Sequence, residues 1–148
     1  MVGLLDVNVL VALAWPNHIH HEAAHAWYRA QAVQGWATCP LTQSGFVRVS
    51  SNRKVVPGAA TPQEGLLLLR RIIALPHHRF WIDDTSLAGS RFVNPERLQG
   101  YHQVTDAHLL ALALRHGGRL VTFDSAVRGL LPEGASAGAV CVVGSPVS

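Results

Sequence analysis

Three aspartates stand at places where a folded chain could gather them around a cation. Asp6 breaks the apolar run Val2 to Leu5 and is followed by Asn8 and a second apolar stretch; Asp106 lies in the first turn of VTDAHLLALALRH; Asp124 follows RLVTF. The chain has only five Asp, so three at such junctions form a pattern with chemical content. Each alone is explained as a helix cap. Together, like charges in one apolar corner repel unless they are protonated or bridged. A hard divalent cation with oxygen ligands, Mg²⁺ or Mn²⁺, is the natural bridge, and it leaves positions for water and phosphate oxygens. Such a site suits phosphodiester hydrolysis, in which the metal polarises the phosphate, lowers the pKa of the attacking water and neutralises the leaving oxygen.

A sheet must bring these residues together. Val2 to Leu5 is apolar without alternation, as in a strand covered on both faces, and a short helix follows to near Trp15. Ile19 to Gln34 reads as a helix, Trp36 to Cys39 as a strand closed by Pro40, and Thr42 to Ser50 as a helix. Thr61, with Pro62 and Glu64 behind it, predicts a capping box for a helix reaching about Leu75. Phe80 to Ile82 is a third strand ended by Asp83 and Asp84. Thr85 to Gln103 is irregular, and Val104 to His116 is a helix whose apolar stripe includes Asp106. Arg119 to Phe123 is a fourth strand, Ser125 to Leu130 a short helix and Val140 to Val143 a fifth strand. Alternating strands and helices predict an α/β fold with a parallel sheet of about five strands and helices on both faces. Right-handed crossovers then bring Asp6 and Asp124 to one edge, and Asp106 joins them if the irregular stretch delivers its helix there.

Composition narrows the classes. At 148 residues the chain fits one domain, residues 1–148, long enough to bury its own core. Only 14% of residues are charged, which points to apolar surface covered by a partner or a second copy. The net charge is +3, and 11 of the 12 cations are Arg, which is compatible with a nucleic-acid partner. Cys39 and Cys141 lack CxxC spacing and read as reduced, packed thiols, which favours the cytoplasm; there is no 18-residue apolar run, so no membrane span is expected. Neither GxGxxG nor GxxxxGK[ST] occurs, so no dinucleotide or P-loop site is indicated. His18, His20, His21 and His25 cluster at one helix start, where His21 and His25 could share a metal, but no third ligand stands at a suggestive distance and a packed or solvated start is the better reading.

LLDVNVL at the start, PLTQSGFVRV at 40–49, VTDAHLLALA at 104–113 and LVTFDSA at 120–126 resemble, in order, the four motif blocks of PIN-domain ribonucleases, in particular VapC-type toxins of bacterial toxin–antitoxin modules. The resemblance implies a three-layer PIN-like fold, an Mg²⁺- or Mn²⁺-dependent endoribonuclease acting on structured RNA such as tRNA or a ribosomal RNA loop, a homodimer, and a cognate VapB-type antitoxin. By position it implies that Asp6 and Asp106 hold the metal directly and that Asp124 binds through water or positions the nucleophile. Asn8, Thr122 and Ser125 become supporting polar groups. Gln43 stands where the family usually has Glu; its amide oxygen can accept a metal-bound water but adds no charge and cannot act as a base. Asp83 and Asp84 are the acids available to compensate, and Arg48, Arg91 and Arg97 are the expected phosphate contacts. Two other readings compete: a PIN-like module that grips RNA or protein but cuts poorly, and a receiver-type phosphotransfer domain, which would need a Lys near the site, whereas Lys54 lies in a loop.

Overall fold

The computed structural model describes residues 1–144. Its spine is β1 (Gly3–Leu5), buried along its whole length and paired in parallel with β2 (Trp36–Thr38) on one side and β4 (Arg119–Thr122) on the other. β3 (His78–Phe80) extends the sheet beyond β2, and β5 (Val140–Val142) extends it beyond β4, giving the all-parallel order β3-β2-β1-β4-β5. The chain therefore winds outward in one direction from β1 and then in the other, which places a switch point between β1 and β4.

Both faces of the sheet are covered, as the unalternating apolar strands require. Leu4 and Leu120 point into one core with Leu109, Leu110 and Leu112 of α5 (Val104–Arg115). Leu5 and Val121, one residue on, point into the other core with Val9 and Leu10 of α1 (Val7–Ala14), Trp27 of α2 (His21–Gln31), Phe46 of α3 (Pro40–Ser50) and Leu69 of α4 (Pro62–Ile73). Truncating a side chain as deeply buried as Leu109 costs about 2–5 kcal/mol, so the two cores lock the helices to the strands.

Where the elements depart from the expectations, turn chemistry is the cause. Pro40 does not merely close the second strand: it occupies the first turn of α3, where its missing N–H costs nothing, and the helix starts two residues early. The third strand is His78–Phe80 rather than Phe80–Ile82, because pairing of Trp36 with His78 sets the register and the apolar FWI run spills past the strand's end. The second helix begins at His21, after a turn through Pro16 to His20, and closes in a 3₁₀ turn, Ala32–Gln34. Thr61 accepts from the Glu64 N–H, yet its hydroxyl, not its backbone N–H, donates to the Glu64 carboxylate, so the box is only half made. Ser125–Leu130 is 3₁₀ rather than α-helical. Cys39 and Cys141 are free thiols, and among the described residues no helix is long and apolar enough to cross a membrane.

Candidate active site

Asp6 leaves β1 as the N-cap of α1. One carboxylate oxygen accepts from the Val7 N–H at 2.7 Å, and the other accepts from the Thr122 hydroxyl at 3.0 Å across the switch point. Thr122 is fully buried at the end of β4, and its oxygen also accepts the Asp124 N–H at 3.1 Å. One hydroxyl thereby orients the first acid and fixes the backbone of the third. Asp124 is exposed and caps its own 3₁₀ turn through the Ala126 N–H, which leaves its second oxygen free. Asp106, half-buried in the first turn of α5, reaches the same edge because α5 runs from there back to the start of β4.

The three carboxylates share one electrostatic field. Burial pushes Asp106 from the usual carboxylate range up to about 6, helped by the charges of Asp6 and Asp124. Burial also raises Asp6, against the lowering hydrogen bonds from Thr122 and Val7, and the Asp124 charge adds to the rise. None of the three is in a salt bridge; the two ion pairs among the described residues, His108 with Asp83 and Arg115 with Asp84, use the other aspartates. Hence Asp83 and Asp84, the acids expected to compensate for a missing Glu, are paired instead with side chains of α5. An all-oxygen, uncompensated anionic donor set of this kind fits a hard divalent cation. The fit is of charge and donor type rather than of closed geometry, for among the described residues no three His, Cys, Asp or Glu side chains are drawn into a ready-made metal shell.

The supporting positions divide. Gln43 donates its amide to the Thr38 hydroxyl at 3.0 Å, and that oxygen lies 2.7 Å from His78 Nε2. The amide oxygen of Gln43 makes no hydrogen bond among the described residues. α3 approaches this closely because residue 45 is glycine: a Cβ there would lie 2.5 Å from a methyl of Val7, the residue after Asp6. Asn8 and Ser125 are exposed, and neither side chain makes a hydrogen bond among the described residues, since each begins a helical turn facing solvent. Arg48 is exposed beside Gln43 and Ser44 in the groove between α3 and α4. Arg97 donates to the Gly129 carbonyl at 3.3 Å, tying the irregular stretch to the turn after Asp124. Arg91 lies elsewhere, stacked over Phe92 in a cleft lined by Leu114 and Arg115, which is about 13 Å along α5 from Asp106 at 1.5 Å per residue.

A carboxylate-lined switch point in a parallel sheet is found in many enzymes, so the geometry narrows the class without choosing a family. Comparison with known proteins chooses it: the family model described as PIN domain matches residues 3–129. The chain belongs to the PIN domain family. Ribonuclease VapC39 of Mycobacterium tuberculosis is 48% identical over 143 residues, covering 97% of this chain and all of that protein. Ribonuclease VapC38 of the same organism is 53% identical over 126 residues, 85% of this chain and 87% of that one. This PIN domain is therefore of the VapC type. Crystal structures of VapC20 from M. tuberculosis (TM-score 0.62, 13% identity, 88% of this chain and 97% of that chain) and FitAcB from Neisseria gonorrhoeae (TM-score 0.60, 18% identity, 97% and 96%) share its fold.

Sequence reasoning missed Thr38, Gly45 and the Asp83–His108 pair. Thr38 and Gly45 matter only through contacts across elements, for which sequence spacing carries no signal. His108 lies two residues from Asp106 on α5, and its pairing with Asp83 required the path of the chain after β3.

Proposed function

We propose that this chain is a divalent-metal-dependent endoribonuclease of the toxin–antitoxin type, hydrolysing phosphodiester bonds in structured RNA. The observation that carries the reading is the shared field of Asp6, Asp106 and Asp124, with Asp6 raised by burial and the Asp124 charge, Asp106 raised by burial and the charges of the other two, and no cationic side chain among the described residues paired to any. Asp6 and Asp106 would hold Mg²⁺ or Mn²⁺, and Asp124 would reach it through water. When bound, the ion supplies charge neutralisation at the phosphate and a more acidic water. Thr122 keeps the Asp6 oxygens aimed by donating to one of them, and the N-terminus of α1 favours its ionised form. The free oxygen of Asp124 would accept the proton of the attacking water, and Arg48 and Arg97 would hold RNA phosphates. Gln43 offers an oxygen without charge, so affinity for the metal should be lower than with a carboxylate there.

The names of its relatives support an RNA substrate, and VapC20 is a sarcin–ricin loop cleaving toxin. An unpaired loop is also what RNA readers generally recognise. Leu66 and Leu67, exposed on α4, support a covered face in a homodimer or an antitoxin complex. The test is incubation of total RNA with Mn²⁺ and either the purified chain or Asp6→Ala. Cleavage by the first and not the second is the expected result. If both leave RNA intact while shifting it on a native gel, the chain is a binding module and the nuclease reading is lost.

A further inference from the structure

The four histidines at the start of α2 fall into two pairs with different work. His21 Nδ1 lies 2.6 Å from the Ala12 carbonyl and His25 Nε2 lies 3.0 Å from that of Leu13, so these rings satisfy carbonyls that α1 leaves open at its C-terminus. His18 and His20 do nothing of the kind. Their turn returns to the carboxyl edge of the sheet, where α2 must begin in order to deliver β2 at the opposite edge, and there both rings stack on Phe123. The His20 ring centroid is 4.5 Å from that of Phe123 at 29°, and His18 is at 6.3 Å and 20°. The His20 N–H donates to His18 Nδ1 at 3.0 Å, which holds the first ring in place. Phe123 itself is half-buried and packed on the core beneath, while His20 is exposed and its side chain makes no hydrogen bond among the described residues.

We propose that His20, backed by Phe123, is a stacking platform for an unpaired nucleobase of the RNA bound at the carboxylate edge. Phe123 sits between Thr122, which orients Asp6, and Asp124. Successive Cα atoms are about 3.8 Å apart, so the stack lies beside Asp124, and a phosphate bound at the carboxylate edge brings a neighbouring base within reach of it. A flat imidazole pinned over a fixed phenyl ring is a rigid π-surface, and stacking of bases on such surfaces tolerates any base because each has a π-face. The inference rests on the nuclease reading for its ligand and extends it by naming where a base is gripped.

Binding separates the two ideas. In an Asp106→Asn background that prevents cleavage, the affinity for a fluorescein-labelled ten-nucleotide oligouridine and for an all-abasic strand of the same length is measured by anisotropy. His20→Ala should weaken binding of the intact strand about tenfold and leave the abasic strand unchanged, and His20→Phe should restore the intact strand's affinity. Equal losses for both strands would mean that the imidazole contacts phosphate, and no loss would mean that it contacts nothing; either overturns the platform while leaving the nuclease reading in place. Failure of the parent to bind the intact strand also overturns the platform, while the nuclease reading stands or falls on the total-RNA assay. The exposed position of His20 keeps folding out of the question, which circular dichroism of each variant checks directly.

Discussion

Asp106 carries the sharpest conflict between stability and function. Its folded-state pKa near 6 lies above the ordinary carboxylate value of 3.8, so its contribution to stability is fully present below about pH 4 and is lost as pH rises through 6. Asp106→Asn removes that penalty. The metal-free variant should be more stable than the parent above pH 6, by on the order of 1 kcal/mol because the group is half in contact with solvent, and the difference should vanish below pH 4. Urea denaturation across that range measures it. Mn²⁺ should stabilise the parent and not the variant, and should bind the parent more weakly as pH falls through 6, since protons and metal compete for the same oxygens. A variant less stable than the parent at pH 7 without metal would show that the three charges do not repel as argued.

Among the elements, α3 is the one whose position is set by the smallest group. A methyl at residue 45 would lie 2.5 Å from the Val7 side chain, well inside van der Waals contact, and Val7 follows Asp6 directly. Gly45→Ala must therefore push α3 away from the start of α1, at a cost of about 1–3 kcal/mol. It should also weaken Mn²⁺ binding, because Gln43 and Asp6 lie on the two sides of that contact. Thermal denaturation together with metal titration checks both effects. Loss of stability with unchanged Mn²⁺ affinity would mean that the α1–α3 contact does not govern the site. The apolar periodicity of α3 was legible in the sequence, but its start was not, since Pro40 reads equally as a strand's end and a helix's first turn until pairing fixes where β2 stops.

At the scale of the whole molecule, the site lies at the seam between β1 and β4 with one core on each side, so a cation held there joins segments over a hundred residues apart in sequence. Ligands that bind only the folded state stabilise it by mass action. Mn²⁺ at a hundred times its dissociation constant should add about 2.7 kcal/mol and raise Tm by roughly 5–10 °C for a chain of this size, as read by differential scanning fluorimetry. Thr122→Val, which keeps the shape and removes the hydroxyl that Asp6 and the Asp124 N–H share, should reduce that rise in Tm severalfold. An undiminished rise in this variant would show that Thr122 does not orient the acids.

The sequence by itself determined the sheet, its parallel sense and the junctions where its acids would sit. Unalternating apolar runs such as Val2 to Leu5 can be satisfied only between two covered faces, and short polar breaks after each run leave little freedom of path. Local pattern also reached Asp6, which lies at a strand end, whereas Thr122 was reached through the resemblance of LVTFDSA to the family's fourth block. Only the tertiary structure decided which acids share one electrostatic field. Asp83 and Asp84 follow an apolar run as Asp6 does, yet they are taken by His108 and Arg115, and Arg91 and Arg97 look alike in one dimension although Arg91 borders the C-terminal end of α5 and Arg97 binds the Gly129 carbonyl. The histidines divide in the same way, two serving the end of α1 and two stacking on Phe123. The physical reason is common to all of these: charge and ring interactions fall off within a few ångströms, and which groups come that close depends on how helices cross the sheet, which no spacing along the chain encodes.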